Sequence, residues 1–192
     1  MGLTGCGQQV TITDNQPPGT GSTMYRIERV QTIPAPLERV WNFICRPQNL
    51  NRITPPNLHF RILGDVPDSM TGGLIIRYSI RIPGFGRRLW VTEIKHIQPL
   101  CSFVDEQRMG PYRFWYHYHR VRPTSGGTEM LDQVDYRLPF GIVGKGVHRI
   151  AVRGMLENIF DYRCKRLSEI FPEAEGPGRK NPLVTPPTGL QE

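Results

Sequence analysis

LDQVDYRLPFGIVGKGVHRIAVRGMLENIFDYRCKRLSEIF, residues 131–171, decides the fold. It opens on alternation of apolar and polar residues, the period of a strand with one buried face. It crosses a bend marked by Gly141, Gly144 and Gly146, then changes to helical spacing. Val152, Met155, Leu156, Ile159, Phe160, Cys164, Leu167 and Ile170 fall on one broad stripe. The spacing predicts a helix over 147–171, about 37 Å long at 1.5 Å per residue. Almost everything upstream reads as strand, at 25–33, 58–63, 74–82, 89–98, 102–108, 113–122 and 128–138, with Gly- and Pro-rich turns between. Two short helices interrupt, one carrying Leu37, Val40, Trp41 and Ile44, the other over 47–53. A single long helix after a run of strands buries its stripe across the face of that sheet. The class is α+β: a seven-stranded curved antiparallel sheet, two short helices and one long C-terminal helix over the concave face. A sheet gripping a helix in this way leaves room for a pocket between them.

The 192 residues suffice for one domain with a substantial core. Residues 1–23 and 173–192 are rich in Gly, Pro and polar residues and are expected to be flexible tails, leaving 24–172 as the folded domain. No apolar run approaches the ~18 residues a membrane helix needs. The four cysteines, Cys6, Cys45, Cys101 and Cys164, show no CxxC spacing and read as reduced, partly buried thiols of a cytoplasmic protein. The formal charge of +7 comes from 24 basic and 17 acidic residues. The basic residues are scattered and accompany no nucleic-acid motif, so no nucleic-acid partner is expected. Phe85, Arg87 and Arg88 place an apolar wedge beside positive charge in one loop. That leaves a transient membrane contact open, although a solvated loop is the plainer reading. Lys145 among its glycines is not followed by Ser or Thr in the manner of a phosphate loop.

The order of elements, together with IPAPLERVW (33–41), ITPP (53–56), FVDEQ (103–107), GPY (110–112), VDYRLPFG (134–141) and IFDYR (159–163), resembles the START-like helix-grip superfamily. This superfamily takes in polyketide cyclase/dehydrase and lipid-transfer proteins; the likeness is nearest to a bacterial single-domain group of the SRPBCC type. The resemblance implies a cavity between sheet and helix for an apolar or amphipathic small molecule. Its members include binders, transporters and enzymes, so it does not choose among activities.

Strand parity sorts the walls of that cavity. Leu74, Ile76, Tyr78, Ile80 and Ile82 form the apolar set of one strand, and Met130, Asp132, Val134, Tyr136 and Leu138 that of another. A tight hairpin at Thr124–Gly127 is expected to place His117 opposite Asp132, which turns Trp115, His117 and His119 inward. Trp90, Thr92 and Ile94 join them. The ligand-binding set expected is therefore Ile76, Tyr78, Trp90, Trp115, His117, His119, Asp132, Tyr136 and Met155. A buried His117–Asp132 pair holds two strands in register, orients a ligand, or moves a proton, in that order of expectation. His117-x-His119 with Asp132 also composes a two-His, one-carboxylate set; no metal is assigned, and no cofactor or catalytic residue. The reading taken is binding, transport or sequestration of a small hydrophobic or amphipathic molecule. It ranks ahead of a cyclase/dehydratase-type enzyme for polyketide-like or aromatic substrates, and ahead of a protein- or membrane-surface interaction module.

Overall fold

The structure is a computed structural model, and it describes residues 24–82, 86–139 and 152–172. Both expected tails, the glycine-rich bend, Phe85 and the first residues of the predicted long helix lie outside these residues. Seven strands form one sheet: β1 (Tyr25–Ile33), β2 (Arg61–Ile62), β3 (Ile75–Ile82), β4 (Gly86–Gln98), β5 (Ser102–Met109), β6 (Phe114–Thr124) and β7 (Gly127–Arg137). Their order across the sheet is β1-β7-β6-β5-β4-β3-β2, and each neighbouring pair is antiparallel. Strands β2 to β7 make a meander, and β1 closes it by pairing with β7 from Tyr25↔Tyr136 to Ile33↔Thr128. Register shifts interrupt β4 and β5 between Val91 and Thr92 and between Lys95 and Gln98. His96 sits within the second of these at φ 51°. Bulges of this kind raise the local twist and bend a strand, which helps to curl the sheet.

Because β1 and β2 occupy opposite edges, the chain between them has to cross the whole sheet. It does so in three short turns of helix. Helix α1 (Leu37–Ile44) starts at Pro36, whose fixed φ and spare carbonyl suit a helix entry, and buries Val40, Trp41, Phe43 and Ile44. A 3-10 segment, Pro47–Arg52, follows, then a second, Pro56–Leu58. The second replaces the start of the strand predicted over 58–63, of which only Arg61–Ile62 pairs. Pro55 and Pro56 favour the 3-10 turn that takes up Leu58, and His59 follows it in the left-handed region at φ 43°, so extended pairing begins only at Arg61.

Helix α2 (Arg153–Ile170) lies across the concave face, burying Leu156, Phe160 and Leu167. Its two ends belong to different clusters. Leu167 and Phe171 pack with α1, Ile76, Ile94 and Phe103. Val152, Leu156 and Phe160 pack with Trp90, Tyr112, Trp115 and Tyr136. The helix is also tied along β1, where Gln31 Nε2 donates to the Cys164 carbonyl at 3.0 Å. Of the cysteines, Cys45 is buried in the first cluster, which pushes its thiol up to about 12, whereas Cys101 is exposed instead of partly buried.

The β6–β7 hairpin corrects one sequence expectation. Thr124 pairs with Gly127 around a two-residue loop, which sets His119 opposite Asp132 and His117 opposite Val134. The inferred register is thus off by two residues, and a two-residue slip keeps every side chain on its face. Gly127 anchors this hairpin. Its φ is 120°, and an added Cβ would stand 2.3 Å from the Ile33 carbonyl oxygen. The next residue, Thr128, is fully buried and donates its hydroxyl to the Ala35 carbonyl at 2.8 Å. Gly127→Ala is expected to destabilise by about 2 kcal/mol through strain and the forced retreat of the β1–α1 corner. Gly126→Ala, where the nearest neighbour is Thr32 Cγ2 at 3.5 Å, should stay within about 0.5 kcal/mol of the parent. Urea unfolding of the two variants checks this; equal midpoints would contradict it.

Candidate functional site

Between the two clusters lies a cavity of about 120 Å³. Ile76, Tyr78, Ile80 and Ile82 line it from β3, and Trp90, Thr92 and Ile94 from β4. Phe103 and Asp105 come from β5, and Trp115, His117 and His119 from β6. Met155, Leu156, Ile159, Phe160 and Arg163 close it from α2, while Leu50, Ile53, Thr54, Leu58 and Phe60 wall it from the crossing segment. Most of the wall is apolar or aromatic. Tyr78 stacks on Trp90 with centroids 5.8 Å apart, and Trp90 meets Trp115 edge-on at 5.1 Å.

Seven of the nine residues expected to face the cavity lie on its wall: Ile76, Tyr78, Trp90, Trp115, His117, His119 and Met155. Two do not. Tyr136 is consumed by packing against Tyr112, Trp115 and Tyr25. Asp132 stands behind the imidazoles and lines a second, much smaller hollow of about 10 Å³ with Arg29, Phe160 and Arg163. Parity gave the correct face in both cases. It does not tell how deep along the face the opening reaches.

One polar cluster breaks the apolar wall. His117 and His119 lie two apart on β6, so both point inward, and their ring centroids are 3.8 Å apart. A carboxylate flanks the pair on each side. Towards β7, His117 Nε2 is hydrogen-bonded to Asp132 Oδ1 at 2.9 Å. His119 Nδ1 lies 2.8 Å from the same oxygen, but out of line for a hydrogen bond. Towards β5, Asp105 Oδ2 is 3.4 Å from both His117 Nδ1 and His119 Nε2. Asp105 reaches this place because β5 sets it directly opposite His117. From the helix, Arg163 Nη1 approaches Asp132 Oδ1 at 3.3 Å. Phe103 stacks on His119 at 4.3 Å, and Phe160 meets His117 edge-on. Among cavity-lining residues, Trp90 Nε1 and Arg163 Nε are buried donors without a hydrogen-bond partner among the described residues.

Burial opposes ionisation of both carboxylates, and their partners overcome it. Asp105 is held below the usual carboxylate range by hydrogen bonds to His117 and His119. Asp132 is held well below it by the Arg163 charge and by both histidines. Burial likewise works against a charged His119, but Asp105 and Asp132 together raise its pKa. The cluster is thus a buried alternation of acids and bases with one face on the cavity.

Asp105 and Arg163 were not singled out from the sequence, though each left a signal. In 102–108, Asp105 shares the parity of Phe103, and Arg163 lies one helical turn from both Phe160 and Leu167 on the apolar stripe. A charge at a buried-face position requires a partner. Arg87 and Arg88 of the suggested membrane loop are exposed. No helix among the described residues is long and apolar enough to cross a membrane.

A family model described as polyketide cyclase/dehydrase and lipid transport matches residues 33–160. The chain belongs to that family. Its fold is the START-like helix-grip fold, as solved structures of low sequence identity also show. A protein of Rhodobacter sphaeroides is 17% identical, with a TM-score of 0.54 over 84% of this chain and 99% of its own. One from Rhizobium leguminosarum is 14% identical, with a TM-score of 0.57 over 77% and 97%. One from Thermus thermophilus is 20% identical, with a TM-score of 0.53 over 76% and 94%. None of the curated proteins compared with the chain matches it. The matched segment contains Asp105, His117, His119 and Asp132 and ends before Arg163.

The signs of these shifts set a pH response. The contribution of Asp105 and Asp132 is fully present above their unfolded values near pH 4 and is lost as pH falls towards their depressed folded values. That of His119 is present below about pH 6.5 and is lost as pH rises through its elevated folded value. Stability from the cluster should therefore peak between about pH 4 and 6.5. Asp132→Asn leaves buried cations unpaired and should cost about 3 kcal/mol at pH 6. The cost should shrink on acidification below pH 4. Urea midpoints taken across pH for both proteins measure this, and parallel curves would refute the assignment.

Proposed function

We propose that the protein binds a small hydrophobic or amphipathic molecule between sheet and helix, with a polar end turned towards the His117–His119 cluster. The observation that carries the reading is the composition of the wall. It is apolar and aromatic over nearly its whole extent, with its ionisable acid and base groups gathered at Asp105, His117, His119 and Arg163. Such walls suit ligands that are mostly apolar and carry a few oriented polar groups. The Trp90 Nε1 and Arg163 Nε donors, without a hydrogen-bond partner among the described residues, add a preference for a ligand with an acceptor oxygen. Membership of a family described by cyclase, dehydrase and lipid transport activities supports the same class of ligand.

Size narrows the class. A cavity of about 150 Å³ holds one benzene-sized molecule, so the 120 Å³ here matches a single ring or a short chain. A long-chain or polycyclic lipid requires α2 and the crossing segment to move apart. Neither is held to the sheet by strand pairing, and Arg166 Nε, donating to the Arg52 carbonyl at 3.2 Å, ties one to the other. Binding or carrying such a molecule asks no chemistry of the cluster. A second reading, a cyclase/dehydratase-type enzyme, is favoured by one observation: acids and bases stand within hydrogen-bond reach of each other on the wall of one cavity. Turnover of an aromatic or polyketide-like substrate, lost in His117→Gln and His119→Gln with binding retained, would select it.

Met155 gives the direct test of the cavity as the binding place. Met155→Trp should fill space above β3 and β4 and weaken binding of an environment-sensitive apolar dye by about tenfold or more, roughly 1.4 kcal/mol. The circular dichroism spectrum should be unchanged. Single-ring aromatic acids should displace the dye from the parent at lower concentration than long-chain fatty acids. Dye affinity equal in parent and variant would remove this place as the binding site.

A further inference from the structure

We propose that Asp105, His117 and His119 form a binding site for a divalent first-row transition-metal ion, with its open coordination positions facing the cavity. The site goes beyond the ligand reading and does not rest on it. The three residues each offer one donor atom, and the donors all lie within 4.8 Å of one another. Asp105 Oδ2 is 3.4 Å from His117 Nδ1 and 3.4 Å from His119 Nε2. Ligands about 2.1 Å from a metal and disposed tetrahedrally stand roughly 3.4 Å apart. Two edges of the donor triangle therefore already have the length that such an ion sets. As hydrogen bonds to a carboxylate the same contacts are long, because charge-assisted ones fall near 2.7–2.9 Å.

The far side of the imidazoles carries the second argument. Metal-bound histidines turn their other ring nitrogen to a carboxylate, which fixes tautomer and orientation. Here His117 does so, with Nε2 hydrogen-bonded to Asp132 Oδ1 at 2.9 Å, and His119 Nδ1 stands 2.8 Å from the same oxygen, though out of line for a hydrogen bond. Asp132 is buried and braced by Arg163, and it lies off the cavity wall. The two carboxylates are thus unequal. Asp132 stands at contact distance from the rings and off the cavity wall, while Asp105 stands farther from them and lines the cavity together with His117 and His119. The sequence offered Asp132 as third member of a two-His, one-carboxylate set; the geometry gives that place to Asp105 and makes Asp132 the positioning residue. Two imidazoles and a carboxylate suit borderline ions such as Zn²⁺, Fe²⁺ or Co²⁺ better than Mg²⁺ or Ca²⁺, which prefer oxygen. An ion held there presents a Lewis acid to an oxygen of any molecule in the cavity. The pH response described above belongs to the metal-free protein.

Chelator-stripped full-length chain, titrated with Co²⁺ and followed by visible absorption, tests the site. One equivalent should bind, give d–d bands of a nitrogen- and oxygen-ligated low-coordinate ion, and be displaced by one equivalent of Zn²⁺. Asp105→Asn and His119→Gln should abolish this. Asp132→Asn should keep the stoichiometry but lose about 10- to 100-fold in affinity, and His96→Gln, on the exposed bulge, should change nothing. Because a core variant can fail to fold, the parent carries its own readout. Zn²⁺ should shift the ring ¹⁵N resonances of His117 and His119 in nuclear magnetic resonance, with Nδ1 of the first and Nε2 of the second as the bound atoms, and leave those of His59 and His96 in place. Sub-stoichiometric Co²⁺ in the folded parent, binding that survives in a folded Asp105→Asn variant, or shifts confined to His59 and His96 would each overturn the proposal.

Discussion

One carboxylate oxygen, Asp132 Oδ1, lies within 3.3 Å of two imidazoles and a guanidinium. These groups come from β6, β7 and α2, so the contact joins the β6–β7 hairpin to the helix laid over it. Taking this many ionisable groups out of water costs several kcal/mol for each ion, and only mutual pairing offsets it. A buried network therefore does not make the fold stable on balance; apolar area does that. What it provides is discrimination. A helix rotated by one residue, or a hairpin slipped by one, would leave a charge without a partner in a low-dielectric interior, which is far more costly than a slightly misplaced methyl group.

The apolar material is arranged to protect that network. At one end, α1, Phe103, Leu167 and Phe171 make an aliphatic and aromatic plug. At the other, Trp90, Tyr112, Trp115, Tyr136 and Leu156 make an aromatic one. The ionisable cluster and the cavity fall between them, walled in part by members of both plugs. The cavity is thus what remains when one straight helix spans a curved sheet and is packed at both ends. Its dimensions follow from the bulk of Tyr78, Trp90 and Met155 as much as from the backbone.

The architecture was legible because it depends on period. Strand alternation, the helical stripe and the turn residues are local signals, and all three appear where the sequence put them to within a few residues. The inward face of β6 was legible for the same reason, since parity survives a two-residue error in register. What failed depended on more than period. The hairpin closes at Thr124–Gly127 as expected, but the partner inferred for His117 was two residues out, because pairing counted from a turn depends on how many residues stay unpaired in its loop. Asp105 required knowing that β5 lies against β6 with Asp105 opposite His117. Tyr136 and Asp132 lie on the inner face but behind other side chains, a matter of depth that no one-dimensional pattern carries. Arg163 breaks an apolar stripe, and that breach was the clue with most to say.

The pairing of β1 with β7 has a kinetic meaning. Its contacts join residues far apart in the chain, with the ion-paired Arg26 and Asp135 separated by 109 positions. During synthesis β1 emerges first and has no partner until almost the entire meander has followed it. The crossing segment that packs beneath α2 is in the same position. Long-range pairing of this kind slows folding, because loop entropy is lost before contacts reward it. Strand β1 thus spends most of synthesis as an open edge, carrying Arg26, Glu28 and Arg29 among its apolar residues. Those charges, of which Arg26 and Arg29 later pair with Asp135 and Asp161, discourage edge-to-edge association of one nascent chain with another while the closing strand is still being made.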